Sequence, residues 1–556
     1  MKKFYLSIMV ALGMMTSCYD DKGKNDFDSP MDDVEMIIPE TAYSGSLGET
    51  IHIEPIVKTA IPESDLEFMW EAKGDLYNDQ GRATFSPLVD TDSQAKDLDY
   101  ICRLDDNITK LNTSYTCRLH ARQKSTGRDF YSSNTFTITI AGVTGLMVLY
   151  DDGSQSDLGV LMADEFMPAA NSIPEKASAV SAMYSNNNGG DKMSGKAVSV
   201  VNMVPDYYYG STDNFDLVAR TTGGYSFLSN TSFTKKGDWS YMFYLSGDRA
   251  VNHNKPDGFI VNSNNSYFIA FDDGEMYVCS NNEYPFLFAE ITPSKPCGDG
   301  NYIALEPHLL FIWGYGGVQY MGYSREVNGA KQKGFIAYSQ IYQGYSADYA
   351  STMNTGNDVV PFNPSDMKAD LVRMNVDATY HVMAVMKGDS DHPKYAGKNF
   401  LVELYPNADA SGESGLAGVP LYMNDMSGFT DIDKAFAFDF GSTKNMCYYA
   451  TPSGVYHYGH DDATLYSPTA LEMIDGSALT LDGEVTMMKI LASPNITTHY
   501  SDAVLMVATW KDGASTLYAL HLDESTGKVS KAVKYDKTTV EGWDFGIIRD
   551  ANIKSI

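Results

Sequence analysis

A repeated strand–turn–strand unit constrains the fold of this chain more than any other feature. From Gly145 onward, an apolar or alternating strand meets a glycine-containing turn and then a strand that carries an aromatic residue. Glycine supplies the positive φ angles that tight hairpin turns need. The sequence therefore predicts consecutive antiparallel hairpins, at residues 146–162, 217–227, 268–278, 310–320, 380–405, 450–458 and 504–522.

The number and irregular length of these units favour one architecture. Antiparallel sheets repeated around an axis form a β-propeller, and long loops absorb the extra residues of each unit. A second sandwich or a β-helix fits less well, because the repeats are neither short nor regular. We predict a β-propeller-like domain of about seven blades over residues 143–556, with six and eight blades as alternatives. Residues 543–548 are predicted to be the strand that closes the ring.

Composition supports an all-β chain. The 38 tyrosines, 25 phenylalanines and 46 glycines favour strands joined by tight turns over helices. The net charge of −31 repels phosphate backbones, so we predict no binding to nucleic acid.

Residues 33–142 contain a different pattern, with about seven short strands. Alternating residues occur at 50–54, 66–70 and 134–140. Trp70 lies on a middle strand, and Tyr115 stands two residues before Cys117, as do the core tryptophan and the tyrosine corner of immunoglobulin-like folds. The early strand at residues 50–54 contains no cysteine that could form a disulfide with Cys117. The segment therefore resembles the polycystic-kidney-disease-type (PKD) branch of β-sandwiches, which lacks the disulfide between its sheets.

The N-terminus has the features of an export signal. Two lysines precede a run of about a dozen apolar residues, which is too short to span a bilayer, and small residues precede Cys18. This pattern resembles a bacterial lipoprotein signal, with residues 1–17 removed and Cys18 lipidated. The acidic tether at residues 18–32 resembles the export tag of surface lipoproteins of the Bacteroides group. An ordinary signal peptide with a chance cysteine is the alternative.

Five cysteines remain after Cys18. Cys102 with Cys117, and Cys279 with Cys297, are candidate disulfides by proximity in the sequence, and buried free thiols are an equal alternative. Cys447 is predicted to be a buried thiol. The spacings match no zinc site, so we predict no metal.

Catalytic signatures are absent from the sequence. It contains no nucleophile elbow, no H-E-x-x-H motif and no phosphate loop. We therefore predict a non-enzymatic protein without a cofactor. A pair of carboxylates drawn from distant blades, as in propeller hydrolases, is the alternative.

Tyrosine clusters are the candidate ligand-binding residues. Tyr207, Tyr208 and Tyr209 are consecutive, so alternation cannot bury all three, and Tyr345 and Tyr349 stand in a polar segment. Exposed tyrosine offers a flat apolar face and a hydroxyl, which suit sugars or extended peptides. Packing between blades is the alternative for each of them.

The whole chain resembles the PKD-like family lipoproteins of gut Bacteroides. The similarity rests on residues 17–23, on Trp70, and on residues 145–150, which read Gly-Leu-Met-Val-Leu-Tyr. This resemblance implies a lipid-anchored protein on the outer face of the outer membrane. Its implied partners are a starch-utilisation-type (Sus-like) transporter and the binding lipoprotein of that transporter, and its implied cargo is peptide or glycan. A propeller hydrolase and a structural or adhesive lipoprotein are the alternative functions.

Overall fold

The computed structural model describes residues 34–77, 80–88, 95–166, 176–203, 216–238, 256–261, 267–272, 274–280, 289–291, 303–311, 320–338, 350–352, 361–376, 381–408, 416–441, 446–461, 464–491, 504–523 and 525–554. Two compact units emerge from the contacts between residues. The first contains residues up to Ser44, Thr50–Tyr100 and Asp105–Thr139, and the second contains Gly45–Glu49, Ile101–Leu104 and Ile140–Ile556. No helix in the described part of the chain is long and apolar enough to cross a bilayer.

The N-terminal unit is built from short strands. They are β1 (Glu35–Ile37), β2 (Ala42–Ser46), β3 (Thr50–Ile53), β4 (Ile56–Lys58), β5 (Leu66–Tyr77), β6 (Ala83–Pro87), β7 (Leu98–Ile101), β8 (Ser114–Gln123), β9 (Asp129–Tyr131) and β10 (Phe136–Ala141), with a 3-10 turn at Glu63–Asp65. The main sheet has the order β2-β10-β8-β5-β6, with β9 also paired to β8. Two further pairs, β1 with β4 and β3 with β7, complete this unit.

The predicted core of the sandwich is confirmed. Side chains of β8 and β10 alternate between buried and partly exposed, as expected for strands with one covered face. Trp70 is fully buried, packs edge-on against Phe136 and donates its indole N–H to the carbonyl of Ala95. The hydroxyl of Tyr115 accepts the N–H of Lys110 at 3.1 Å, which is the backbone contact of a tyrosine corner.

The second unit contains thirty strands in its described residues. In chain order they are β11 (Gly145–Asp151), β12 (Gln155–Met162), β13 (Ser178–Val180), β14 (Met193–Ser194), β15 (Ala197–Met203), β16 (Asp216–Thr221), β17 (Gly224–Ser229), β18 (Lys235–Gly237), β19 (Pro256–Val261), β20 (Tyr267–Asp272), β21 (Glu275–Ser280), β22 (Ala289–Ile291), β23 (Ile303–Phe311), β24 (Tyr320–Val327), β25 (Ala330–Tyr338), β26 (Ala350–Thr352), β27 (Ala369–Val376), β28 (Val382–Gly388), β29 (Asn399–Ala408), β30 (Leu416–Asp425), β31 (Ala437–Phe440), β32 (Met446–Thr451), β33 (Gly454–Asp461), β34 (Thr464–Leu465), β35 (Thr469–Ala470), β36 (Glu484–Ile490), β37 (Val504–Lys511), β38 (Ala514–Leu522), β39 (Val529–Tyr535) and β40 (Ile547–Lys554). Between them, the described part of the unit has one short helix, α1 (Met183–Asn187), and two 3-10 turns, Asp164–Phe166 and Ile432–Lys434.

These strands form seven antiparallel sheets in the described residues, which matches the predicted blade number. Five sheets follow the chain directly, as β15 to β18, β19 to β22, β23 to β26, β27 to β30 and β36 to β39. A sixth has the order β31-β32-β33-β34, with β35 also paired to β33. The remaining sheet has the order β40-β11-β12-β13, with β14 also on β12, so it joins the two ends of the unit.

Contacts between the leading strands close these sheets into a ring. The strand β15 contacts β19, and the series continues through β23, β27, β31 and β36 to β40, which contacts β15. Each sheet stays open, and none closes on itself in the described residues. The unit is therefore a seven-bladed, propeller-like assembly of stacked sheets.

The closing strand lies slightly later in the chain than predicted. It is β40, Ile547–Lys554, and it pairs with β11 from Gly145↔Lys554 to Asp151↔Ile547. Trp543 precedes the strand, is mostly buried and donates its indole N–H to the carbonyl of Ser515. The predicted segment was therefore placed a few residues early, because an aromatic core residue resembled the start of a strand.

Turn chemistry explains the hairpins. Between β24 and β25, Asn328 and Gly329 have φ angles of 51° and 76°, and between β37 and β38, Asp512 and Gly513 have φ angles of 50° and 80°. Positive φ at both central residues is the mark of the type I′ turn, whose twist matches that of the flanking strands. The predicted hairpins correspond to strand pairs of the structure.

Of the two alternatives for Cys102 and Cys117, the candidate disulfide is not formed, and both are buried free thiols. Cys117 lies within β8, between Ala72 and Phe136 of the neighbouring strands, whereas Cys102 follows β7 of a different sheet and donates its N–H to Glu49. Burial raises the pKa of each thiol to about 12, so both stay protonated and unreactive. Cys447 is also buried, as predicted.

Candidate functional site

A polar cavity opens beside the first and second sheets of the propeller-like unit. We call it the Tyr184 cavity, and it encloses about 530 Å³. Its walls come from β12, α1, the segment around β14, the turn between β16 and β17, and the β18 segment. The lining residues are Gln155, Tyr184, Asn188, Asp191, Lys192, Met193, Ser194, Thr221, Gly223, Gly224, Tyr225, Ser226, Lys235 and Asp238.

Buried polar contacts hold α1 at the cavity wall. The hydroxyl and the N–H of Ser185 donate to the carboxylate of Asp157 at 2.5 and 3.1 Å. Asp157 is almost fully buried in β12, and this burial raises its pKa against the hydrogen bonds from Ser185 and Leu158. The short helix is thus attached to the sheet through a carboxylate that solvent does not reach.

The side chain of Asn188 attaches the end of α1 to the next blade. Its amide donates to the carbonyls of Tyr184 and Phe233 at 2.7 and 3.0 Å, and its oxygen accepts the N–H of Lys235 at 2.8 Å. Three bonds from one side chain fix two separate segments of the chain. The position of Tyr184 is therefore set before any ligand arrives.

The hydroxyl of Tyr184 is available to form hydrogen bonds with a ligand. Its side chain is 5% exposed, and its hydroxyl makes no hydrogen bond to the described residues. Burial raises the pKa of this phenol, with Asp157, Asp191 and Asp238 acting in the same direction and Lys235 opposing them. The hydroxyl is thus protonated at neutral pH, and it can both donate to and accept from a bound molecule.

Close backbone packing forms the opposite wall. The hydroxyl of Thr221 donates to the carbonyl of Ser194 at 2.6 Å and accepts the N–H of Gly223 at 3.1 Å. A Cβ atom on Gly223 would lie 2.4 Å from the same carbonyl oxygen, so only glycine fits there. Tyr225 follows in β17, with the guanidinium of Arg220 5.6 Å from the centre of its ring.

The cavity has balanced charge. Lys235 pairs with Asp238 at 2.5 Å, and Lys192 pairs with Asp152 at 3.3 Å. Hydroxyl, amide and backbone groups supply the remaining polar surface. In the described residues, no group of three or more His, Cys, Asp or Glu side chains could hold a metal ion. The arrangement suits a neutral ligand rich in hydroxyl groups.

The residues predicted from the sequence lie elsewhere. Cys18, Tyr207, Tyr208, Tyr209, Tyr345, Tyr349 and Cys297 lie outside the described residues, as does the side chain of Cys279. Their predicted roles stay predictions. Sequence reasoning did not find Tyr184 or Tyr225, because each stands alone in its local pattern. The sequence feature that could have indicated this cavity is the Asn- and Gly-rich segment at 185–196, whose residues do not alternate as those of a long strand do.

Similarity to known proteins covers both parts of the chain. The model of the PKD-like family matches residues 18–196. No curated protein matches the chain.

Solved structures that are similar to the chain include a WD40 domain and a β-propeller domain. The WD40 domain of SCAP from fission yeast is 9% identical, with a TM-score of 0.28, 60% of this chain covered and 63% of that one. The Nup133 β-propeller of Vanderwaltozyma polyspora is 7% identical, with a TM-score of 0.30 and coverages of 61% and 89%. Kluyveromyces lactis Hsv2p is 6% identical, with a TM-score of 0.25 and coverages of 77% and 96%. The strand pairing of this chain and the ring of contacts between its sheets define the propeller-like fold.

Proposed function

We propose that this protein is a surface-exposed outer-membrane lipoprotein that binds glycan as an accessory component of a Sus-like nutrient uptake system. The observation that carries the proposal is the Tyr184 cavity, with a fixed phenol whose hydroxyl has no partner among the described residues. The predicted lipid on Cys18 would hold the folded units at the membrane.

The composition of the cavity favours glycan over peptide. The charged residues of its described lining are two acids and two bases, namely Asp191, Asp238, Lys192 and Lys235. These residues therefore offer no excess charge to either terminus of a peptide. Sugar hydroxyls both donate and accept, as do the hydroxyl and amide groups of the walls. The volume lies within the usual range for small-molecule sites, about 300–1,000 Å³.

We propose binding without turnover. The cavity holds its ligand for transfer to a transporter. The proposed partners are therefore the Sus-like transporter and its binding lipoprotein, reached from a lipid anchor in the same membrane.

Calorimetric titration of the full-length protein, purified in detergent, with a panel of oligosaccharides tests the cargo. A panel member that binds should bind Tyr184→Phe about 2- to 13-fold more weakly, because one hydrogen bond contributes about 0.5–1.5 kcal/mol. The matched control is Tyr466→Phe, because that tyrosine is 51% exposed and lies outside the cavity. Equal affinity of Tyr184→Phe and the wild type would show that the ligand does not bind in the Tyr184 cavity. If no oligosaccharide of the panel binds, the proposal that the cargo is glycan is wrong.

Membrane fractionation tests the anchor. Cys18→Ala should leave the circular dichroism of the protein unchanged and move it to the soluble fraction. Retention of this variant in the membrane would contradict the lipoprotein assignment.

A further inference from the structure

A second, smaller cavity lies at the fifth sheet of the ring. We call it the Lys368 cavity, and it encloses about 210 Å³ between the segment before β27 and the loop that joins β28 to β29. We propose that it binds the carboxylate of a small ligand with an apolar body, the chemistry of a peptide C-terminus that ends in an apolar residue. This proposal does not depend on the Tyr184 cavity.

Two lysines line this cavity in a chain with a net charge of −31. Neither Lys368 nor Lys394 pairs with a carboxylate in the described residues, although the ammonium of Lys394 lies 4.9 Å from the centre of the Tyr395 ring. Asp366 is the one acidic residue among the described residues of the lining. The site therefore keeps one positive charge in excess, which suits a ligand with a single carboxylate.

His392 supplies a fixed hydrogen-bond donor. Its Nδ1 accepts the backbone N–H groups of Lys394 and Tyr395 at 3.1 and 2.8 Å, so the proton of the neutral ring sits on Nε2. The residue is 7% exposed and lines the cavity, and Nε2 makes no hydrogen bond to the described residues. The ring packs against Phe400, with centroids 5.0 Å apart, which fixes its orientation.

The acidic charge of Asp389 is paired with two lysines. Asp389 begins the loop that carries His392, and its carboxylate accepts Lys333 at 2.7 Å and Lys331 at 2.9 Å. An incoming anion is thus not repelled by Asp389, and the start of the loop is held in place. Asp391 is exposed and is not part of the lining.

The backbone of Lys368 is in the left-handed region, with φ of 50°. A residue with a side chain adopts this conformation only against steric strain, and such strain concentrates at ligand sites. The carbonyl of Lys368 accepts the N–H of Asp389 at 2.8 Å, and Met367 donates to Lys333 at 2.6 Å. The surrounding contacts therefore hold the strained lysine at the cavity.

Apart from Asn363, the rest of the described lining is apolar. Phe362 and Met367 are 7% and 3% exposed, and Met423 is partly buried. Methionine adapts its shape to different apolar partners. An apolar side chain of a ligand would contact these residues while its carboxylate faces the lysines and His392.

Calorimetric titration of the full-length protein with N-acetyl-L-leucine tests the proposal, with N-acetyl-L-leucinamide as the uncharged comparison. We expect the acid to bind at least about tenfold more tightly than the amide, because charge-assisted hydrogen bonds are the stronger ones. 4-Methylpentanoate separates the two sources of the carboxylate. If 4-methylpentanoate binds as tightly as N-acetyl-L-leucine, the cavity recognises only the carboxylate and the apolar body. If 4-methylpentanoate binds more weakly, the cavity also recognises the peptide amide.

Lys368→Gln and Lys394→Gln should each weaken binding of the acid by about tenfold and leave binding of the amide unchanged. Lys537→Gln, at an exposed lysine outside the cavity, makes the same change in charge and should have no effect. If Lys368→Gln does not fold, Lys394→Gln still tests the proposal. Equal binding of acid and amide, or full affinity in a folded Lys394→Gln variant, would overturn it. A failed oligosaccharide screen would leave this result unaffected.

Discussion

Asp550 lies where the two ends of the ring meet, and replacing it with alanine should weaken the propeller-like unit. Asp550 lies on β40, and its carboxylate contacts the leading strands of both neighbouring sheets. One oxygen accepts the N–H of Val200 in β15 at 2.8 Å, and the other accepts the ammonium of Lys489 in β36 at 2.9 Å. A single buried side chain thus links three sheets at the point where the two ends of the unit meet.

The hydrogen bond to Val200 and the ion pair with Lys489 contribute differently to the free energy of unfolding. Val200 is fully buried, so its N–H would lose its acceptor without gaining water, at a cost of about 1–3 kcal/mol. The side chain of Lys489 is 33% exposed and keeps a bond to the carbonyl of Ala551, so its loss is about 0–1 kcal/mol. We therefore expect Asp550→Ala to cost about 2 kcal/mol and no more than about 4 kcal/mol. In a unit of this size, the corresponding fall in Tm is roughly 2–5 °C.

Hydrogen exchange read by mass spectrometry locates the effect. Peptides that cover β15 and β40 should exchange faster in Asp550→Ala, while those of β8 in the N-terminal unit should not change. The matched control is Asp544→Ala, because Asp544 lies in the same C-terminal segment with an exposed side chain. The same Tm and exchange for both variants would refute the assignment of ring closure to this carboxylate.

Three further predictions concern buried ionisable groups. Burial opposes ionisation of Glu165, but hydrogen bonds from Tyr535 and Lys531 favour the charged carboxylate, and the pKa of Glu165 is lowered. The charged carboxylate therefore stabilises the fold above about pH 4.5, and this stabilisation is lost as the pH falls through the pKa of Glu165 in the folded protein. Urea titrations should therefore show Glu165→Gln less stable than wild type at pH 7, with the difference narrowing below pH 4.5. Burial lowers the pKa of Lys554 from 10.5 to about 8, which at about 1.4 kcal/mol per pH unit costs up to about 3 kcal/mol at neutral pH. Lys554→Met should raise Tm at pH 7 and remove the gain in wild-type stability expected between pH 8 and 10.5. Alkylation after denaturation without a reductant should label both Cys102 and Cys117, and a peptide that joins them would contradict their free state.

The hairpins were predictable because their causes are local. Asp512-Gly513 specifies a type I′ turn wherever it stands between two apolar strands, and alternation around Trp70 and Tyr115 specifies which face of a strand is covered. Seven repeats of one such unit then indicate a ring, since sheets with two apolar faces must stack on one another. These conclusions require no knowledge of which distant residues meet.

The candidate sites were not predictable in the same way. The Tyr184 cavity combines α1 with a turn between β16 and β17, and neither segment carries a motif. Cys102 and Cys117 are close in sequence, yet Cys117 lies in β8 and Cys102 follows β7 of another sheet. Proximity in the sequence therefore could not distinguish a disulfide from the free thiols that the structure shows. Polar residues are common on any protein surface. They form a candidate binding site only when the fold buries them and leaves one of their polar groups without a hydrogen-bond partner in the described residues.

The all-β class, the hairpins and the sandwich core could be predicted from the sequence, because turn geometry and alternation act over a few residues. The tertiary structure was needed to choose seven blades over six or eight, to place the closing strand, and to show which thiols stay free and which side chains line the two cavities. These features depend on contacts between residues far apart in the chain, such as Asp550 with Val200 and Asn188 with Phe233. Local patterns constrain the conformation of a segment, whereas the energy of a buried hydrogen bond depends on which partner the complete fold brings within reach.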